Sequence, residues 1–343
     1  MLVFAGLGLN EKTITNEIIE EIKDADKIYF ERYTSPPMPY NEYKFSFQYE
    51  QVGREFIENG NKILEQSKDG KVILLTYGNP MIATTHMDLK MRATEAGIIT
   101  KVLHNTSIIT VLPGETGLHS YKFGRITTLM AETQIAPLSV YEVIYKNLLS
   151  ELHSTILMEY NLDTMKYLAP KDAIKQLLEI EREQKKQVIN ESTIIIIASR
   201  IGMNKQEIFC DTVSKLLERN YDKPPYTIII PGKLHFTEIE SLQQLFDIKT
   251  ITDNSVNIKS KSTDMLEKYI PKAKITLEKI RKMTDNDDRY RDLFKNIEAY
   301  IEDSERFRDE EKLELADNLH NIKMKLNGVK PDNTYIDCVG CGS

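Results

Sequence analysis

The sequence predicts two tandem α/β domains followed by an all-α module, and three observations carry that prediction. From residue 2 to about 250, apolar runs of strand length alternate with amphipathic helical segments. Key runs end in turns bearing Gly or Pro, most clearly in VILLTYGNPMIATTH at 72–86. Beyond about residue 260 strand signals stop and helical periods take over. The expected limits are 1–115 and 116–255 for the two α/β domains, 262–328 for the helical module and 329–343 for a disordered tail.

In the first domain, residues 2–7 read as a strand. Glu17 to Ala25 reads as a helix with Ile18, Ile19 and Ile22 on one side, and Lys27 to Tyr33 as a second strand. At 43–49 the aromatic residues Tyr43, Phe45, Phe47 and Tyr49 alternate with polar ones, the period of a half-buried strand. Arg54 to Gln66 is expected to be one helix, 71–76 a strand, and Ile98 to Leu103 a strand after a helix stopped by Gly97. Such alternation implies a mostly parallel sheet covered on both faces. In this architecture ligands bind beyond the carboxyl ends of strands, which places Gly78 to Thr85 where a small-molecule site belongs.

A junction is expected near Pro113 to Gly124. After it come a strand at Thr127 to Met130 and a helix from the capping-box pattern Ser139-Val-Tyr-Glu142 to Leu149. Next are a strand at Thr155 to Glu159 and a helix opened by Pro170 that carries Ala173, Ile174, Leu177, Leu178 and Ile180. Thr193 to Ala198 and Tyr226 to Ile230 are strands, and a helix runs from about His235 to Phe246. In the module, apolar stripes such as Leu266, Tyr269, Ala273, Leu277 and Ile280 need burial, which three antiparallel helices provide; Pro271 kinks or restarts the first.

The chain has 343 residues, is 41% hydrophobic and carries a net charge of -7, an ordinary composition for a soluble globular protein. The acidic balance argues against nucleic-acid binding, which needs a basic footprint. Three cysteines write no disulfide framework and point to a reducing compartment. The opening MLVFAGLGL is too short for a signal peptide or a membrane span. A cytoplasmic protein without membrane attachment is expected.

Several motifs are weighed and set aside. Gly6-Leu7-Gly8 lacks the third glycine of a dinucleotide fingerprint, position 11 being Glu, but its glycines imply a close backbone approach. Cys338 and Cys341 have the spacing of half a zinc site, but the other two ligands are absent, Cys210 being alone, so a disordered tail is the expected reading over a redox pair or a metal site shared between chains. No histidine pair has metal-ligand spacing, so no metal is expected. His104, His119, His153 and His235 fall near strand ends or turns, where structural roles are commoner than catalytic ones. No nucleophile elbow, P-loop or paired-carboxylate motif is present, so no catalytic residue is assigned. Methyl transfer from a sulfonium donor suits such a chain, because the donor is intrinsically reactive and the protein mainly aligns the reactants.

The ordered segments LVFAGLGLNEKTIT (2–15), FERYTS (30–35), GNPMIATTH (78–86), HNTSI (104–108), TGLHSYKFG (116–124), LHSTILMEY (152–160), ASRIG (198–202) and PGKLH (231–235) resemble the archaeal diphthine synthases. These belong to the class III S-adenosylmethionine-dependent methyltransferases, the tetrapyrrole methylase superfamily. The resemblance implies S-adenosylmethionine in a cleft between two α/β domains, and a homodimer. It also implies methylation of the amino group on the 3-amino-3-carboxypropyl-modified histidine of translation elongation factor 2, in diphthamide biosynthesis. Carried over by motif, the cofactor-binding residues are Leu9, Asn79, Ile82, Ser107, Ile108, Met158, Ile201 and His235. The family usually has Asp where this chain has Asn79. That departure implies weaker cofactor binding, and an Asn79→Asp change that tightens binding or leaves it unchanged. The resemblance ends near residue 250 and does not assign a role to the module. The competing readings are another class III methyltransferase, acting on a tetrapyrrole or ribosomal RNA, and a non-catalytic S-adenosylmethionine-binding scaffold.

Overall fold

The computed structural model describes residues 1–33, 47–130, 138–161, 166–248, 251 and 278. Apart from Glu278, the expected helical module lies outside the described residues, as do Pro271, Cys338 and Cys341. The chain divides into two compact units, one comprising 1–254 with 338–343 and the other 255–337. Both large sheets lie in the first unit.

The amino-terminal sheet contains β1 (Leu2–Gly6), β2 (Lys27–Glu31), β3 (Glu50–Val52), β4 (Val72–Thr76) and β5 (Thr100–Leu103). All pairings are parallel and the spatial order is β3-β2-β4-β1-β5. Parallel neighbours need crossovers, supplied by α1 (Asn16–Lys23), α2 (Arg54–Asn59), α3 (Asn61–Asp69) and α4 (His86–Glu95). Successive strand residues face opposite sides. Phe4 and Leu74 pack with Ile57, Ile63 and Leu89 on one face, and Ala5 and Ile73 with Ile18 and Ile22 on the other. Both faces are therefore covered, as the strand-helix alternation implied.

Two local expectations change here. Gly60 adopts a left-handed conformation (φ 65°), so the single helix expected over Arg54 to Gln66 is two, α2 and α3. The strand expected at 43–49 is not one in its described part. Phe47 and Tyr49 are in ring contact and add to the core around Phe30, while β3 begins at Glu50. Aromatic alternation there reflects packing against that core, and residues 43–46 are outside the described residues.

After α5 (Ile108–Thr116), the second sheet holds β6 (Thr127–Leu129), β7 (Ser154–Met158), β10 (Ile194–Ser199), β11 (Glu207–Thr212) and β12 (Tyr226–Ile230), in the order β11-β10-β12-β7-β6. A separate ribbon is formed by β8 (Tyr160–Asn161) and β9 (Lys166–Tyr167). The helices are α6 (Leu138–Leu149), α7 (Pro170–Gln184), α8 (Val213–Glu218) and α9 (Phe236–Phe246). Among the strands of this sheet only β6 and β7 pair in parallel; β10 runs antiparallel to β11 and β12, and β12 to β7. A short connection between β10 and β11 can join only antiparallel strands. β11 and α8 are additions to the elements expected from the sequence, their signals, EIFCDT and VSKLLE, being weak. So is α5, whose interior Pro113 reads in the sequence as a junction. Ser139 lies within α6 and not at its cap, since Leu138 is already helical.

Candidate active site

β1 and β4 end side by side, with Gly6 opposite Thr76. Their turns remain joined, because Gly8 N donates to Gly78 O at 3.1 Å and Gly78 N to Gly8 O at 2.9 Å. Gly78 sits at φ 72°, where a side chain would be strained. A Cβ on Gly6 would lie 2.5 Å from Gly78 O. The close approach implied by the Gly6-Leu7-Gly8 glycines is thus to the Gly78-Asn79-Pro80 turn itself. Asn105 braces the same junction by donating from Nδ2 to Gly6 O (2.8 Å) and Thr13 O (2.9 Å). Tyr77 donates its hydroxyl to Leu9 O at 2.9 Å, and burial pushes that phenol well above its ordinary range.

Asn79 is buried and uses both ends of its amide. Nδ2 donates to Asn105 O at 3.0 Å and Oδ1 accepts from Met81 N at 3.0 Å; His104 Nδ1 lies 3.2 Å from Nδ2. Ser107 caps α5 by accepting from Ile109 N, and Thr110 returns a bond to the cap backbone. The first turn of α5 therefore stands at the site with its N–H groups toward the helix start, an arrangement suited to a carboxylate.

The second sheet supplies the opposite wall. Because β12 is antiparallel to its neighbours, its start lies at the same edge as the ends of β10 and β7: Tyr226 opposes Ser199 and Thr227 opposes Leu157. Between the walls is a cavity of about 820 Å³, its open mouth included. This is the size and apolar-with-polar-ends character of a small-molecule site. Among the described residues of the wall Arg200 is the charged one, and its Nη2 is paired with Asp222 Oδ2 at 2.8 Å.

Seven of the eight sequence-assigned residues line this cavity: Leu9, Asn79, Ile82, Ser107, Ile108, Met158 and Ile201. His235 is not brought to it. It follows the opposite end of β12 and caps α9, its Nδ1 lying 2.8 Å from Thr237 Oγ1. Beside it, fully buried Glu238 accepts from His235 N (2.8 Å), His119 N (2.7 Å), Lys122 Nζ (2.7 Å) and His153 Nε2 (2.9 Å). Burial works to raise the Glu238 carboxyl, but these donors prevail and hold it down at about 2. His119, Lys122, His153, His235 and Glu238 thus meet at a hydrogen-bonded hub, and none of them lines the cavity. Sequence reasoning missed Tyr77, Arg200 and Tyr226 on the wall. Tyr226 could be placed only once the direction of β12 was known.

The chain matches the family model for tetrapyrrole (corrin/porphyrin) methylases over residues 1–217. It is 35% identical over 254 residues to the diphthine synthase of Methanococcus vannielii, covering 72% of this chain and 99% of that one. The diphthine synthase of Methanocaldococcus jannaschii is also 35% identical, with 71% of this chain and 98% of that one covered. The chain belongs to the diphthine synthase branch of the tetrapyrrole methylase family. A crystal structure of a diphthine synthase aligns with a TM-score of 0.62 and 29% identity over 72% of this chain and 96% of that one. The family is one of S-adenosylmethionine-dependent methyltransferases, so the cavity is tested against that cofactor. Its residues fit: apolar faces at Leu9, Ile108, Met158 and Ile201 suit a nucleoside, and a helix start suits a carboxylate. No group of three or more His, Cys, Asp or Glu that could hold a metal occurs among the described residues. No helix among them is long and apolar enough to cross a membrane.

Proposed function

We propose that this chain is a diphthine synthase, transferring methyl groups from S-adenosylmethionine to the amino group of the 3-amino-3-carboxypropyl-histidine of elongation factor 2. The observation that carries the reading is the convergence of seven family-matched residues on one cavity at the strand ends of both sheets. Leu9, Asn79, Ile82, Ser107, Ile108, Met158 and Ile201 would hold the cofactor there. When bound, the cofactor supplies an electrophilic methyl on sulfur and leaves as a neutral thioether. The chain's own part is alignment and exclusion of water.

Among the described residues, the titratable lining groups besides Arg200 are the phenols of Tyr77 and Tyr226, both pushed up by burial. Neither is ionised near neutrality, so neither serves as a base. The substrate amine must therefore reach the methyl group uncharged, with solvent taking its proton. We also propose a cytoplasmic homodimer with catalytic domains at 1–115 and 116–255, and a separate module at 262–328.

The test is incubation of the protein with S-adenosylmethionine and elongation factor 2 carrying the 3-amino-3-carboxypropyl group, read by intact mass. Mass gains of one or more methyl groups, with an initial rate rising as pH titrates the amine, support the reading. An unchanged mass, in a preparation that binds the cofactor by calorimetry after chelation of metals, refutes it.

A further inference from the structure

The segment from Pro80 to His86 lends Ile82 and Ala83 to the cavity wall. Ala83 has φ 55°, a left-handed conformation that an alanine does not favour and that its surroundings must hold. Two side chains close the turn on one atom. The Thr84 hydroxyl donates to Pro80 O at 3.0 Å, and His86 Nδ1 lies 2.8 Å from the same oxygen. A carbonyl only accepts, so the imidazole proton is on Nδ1. The ring is fully buried, against Phe4 and Tyr33. Burial pushes it down to about 4, which keeps it neutral with Nε2 as a lone pair. That Nε2 has no hydrogen-bond partner and stands 3.8 Å from Glu31 Oε2. Thr85, between the two donors, meets the Tyr33 hydroxyl at 2.7 Å and ties the turn to the end of β2.

We propose that His86 is a positioning residue for the cavity: its Nδ1–H, with the Thr84 hydroxyl, holds the Pro80 carbonyl and so keeps Ile82 and Ala83 in the ligand-competent wall. The inference rests on the reading of the cavity as the cofactor site. It adds a function for the ATTH segment, none of whose four residues except Ala83 faces the cavity. Apparent affinity scales with the fraction of molecules whose turn is correctly closed, so loosening the turn weakens binding without removing a ligand contact.

Full-length protein is titrated with S-adenosylhomocysteine by calorimetry, and thermal midpoints are measured in parallel. His86→Asn puts an amide N–H near the place of Nδ1, whereas His86→Gln puts it near Nε2. The expected result is that His86→Asn stays within about twofold of wild type while His86→Gln and His86→Leu weaken binding roughly five- to tenfold. A residue that only fills the core would give Asn and Gln variants with equal affinities. Equal weakening in the two, or no weakening in Gln and Leu, overturns the proposal. If the buried substitutions do not fold, half-buried Thr84→Val removes the other donor to Pro80 O. It is expected to weaken binding roughly threefold, and an unchanged affinity overturns the proposal. Failure of the wild-type protein to bind overturns the cofactor reading and this inference with it, whereas wild-type binding with indifferent variants overturns this inference alone.

Discussion

Asn79→Asp is the most informative single change, because the family resemblance and the geometry disagree about it. The resemblance implies tighter or unchanged cofactor binding. In the structure, however, the Asn79 amide donates to Asn105 O at 3.0 Å and its carbonyl accepts from Met81 N at 3.0 Å. A carboxylate keeps the second bond and loses the first, leaving two acceptors face to face in a buried turn. Losing that bond and setting oxygen against oxygen costs about 1–3 kcal/mol. At about 2–4 °C per kcal/mol, the melting midpoint falls by several degrees. The same contact raises the folded-state pKa of the introduced carboxyl above its unfolded value of roughly 3.9. Below the unfolded value it is protonated in both states and its hydroxyl can donate to Asn105 O. As pH rises through the folded value, the unfolded state releases its proton first and stability is lost. The gap between variant and wild type should therefore widen from pH 5 to pH 8, and S-adenosylhomocysteine should bind more weakly at pH 8. His104 Nδ1, 3.2 Å from the amide nitrogen, could turn donor and compensate, so the variant is measured with and without His104→Gln. A single Asn79→Asp variant with wild-type midpoint and affinity at pH 8, unchanged by His104→Gln, would refute the reasoning.

Gly6→Ala should destabilise the protein by about 1–3 kcal/mol or more, since its Cβ would meet Gly78 O at 2.5 Å and Pro80 Cδ at 2.8 Å; chemical denaturation measures this. Glu238→Gln leaves Lys122 and His153 facing a neutral amide in a buried hub and should cost about 3 kcal/mol or more, without changing the contacts of the cavity wall. Because the Glu238 carboxyl is lowered from 4.5 to about 2, its contribution is present above about pH 4.5 and is lost as pH falls toward 2, which denaturation of wild type and variant across that range would show. A chain ended after Ser255 should stay folded and bind S-adenosylhomocysteine, since the described cavity and both sheets precede that point; aggregation or lost binding would show that the remainder is needed.

Much of this protein is legible in its sequence because much of it is local. Val72–Thr76 is an apolar run before a Gly-Asn-Pro break, and those two facts suffice for a strand, a turn and a site at the strand's end. Pro170 at the start of α7 is equally local, its fixed φ and missing N–H costing nothing there. Where a local signal is weak or serves a distant partner, the reading fails. β11 is half polar because it pairs along β10 at a sheet edge, and the aromatic residues at 47 and 49 alternate to meet Phe30 without joining a sheet. Composition and motif order determined the two α/β layers, the family, and seven of the residues that share the cavity. Tertiary structure alone decided that Asn79 spends its amide on Asn105 and Met81, that His235 caps α9 and does not line the cavity, and that Tyr226 arrives on the wall. These are contacts between elements whose meeting depends on sheet order and strand direction. Hydrophobic periodicity carries no information on either, because a strand presents the same alternating faces whichever way it runs.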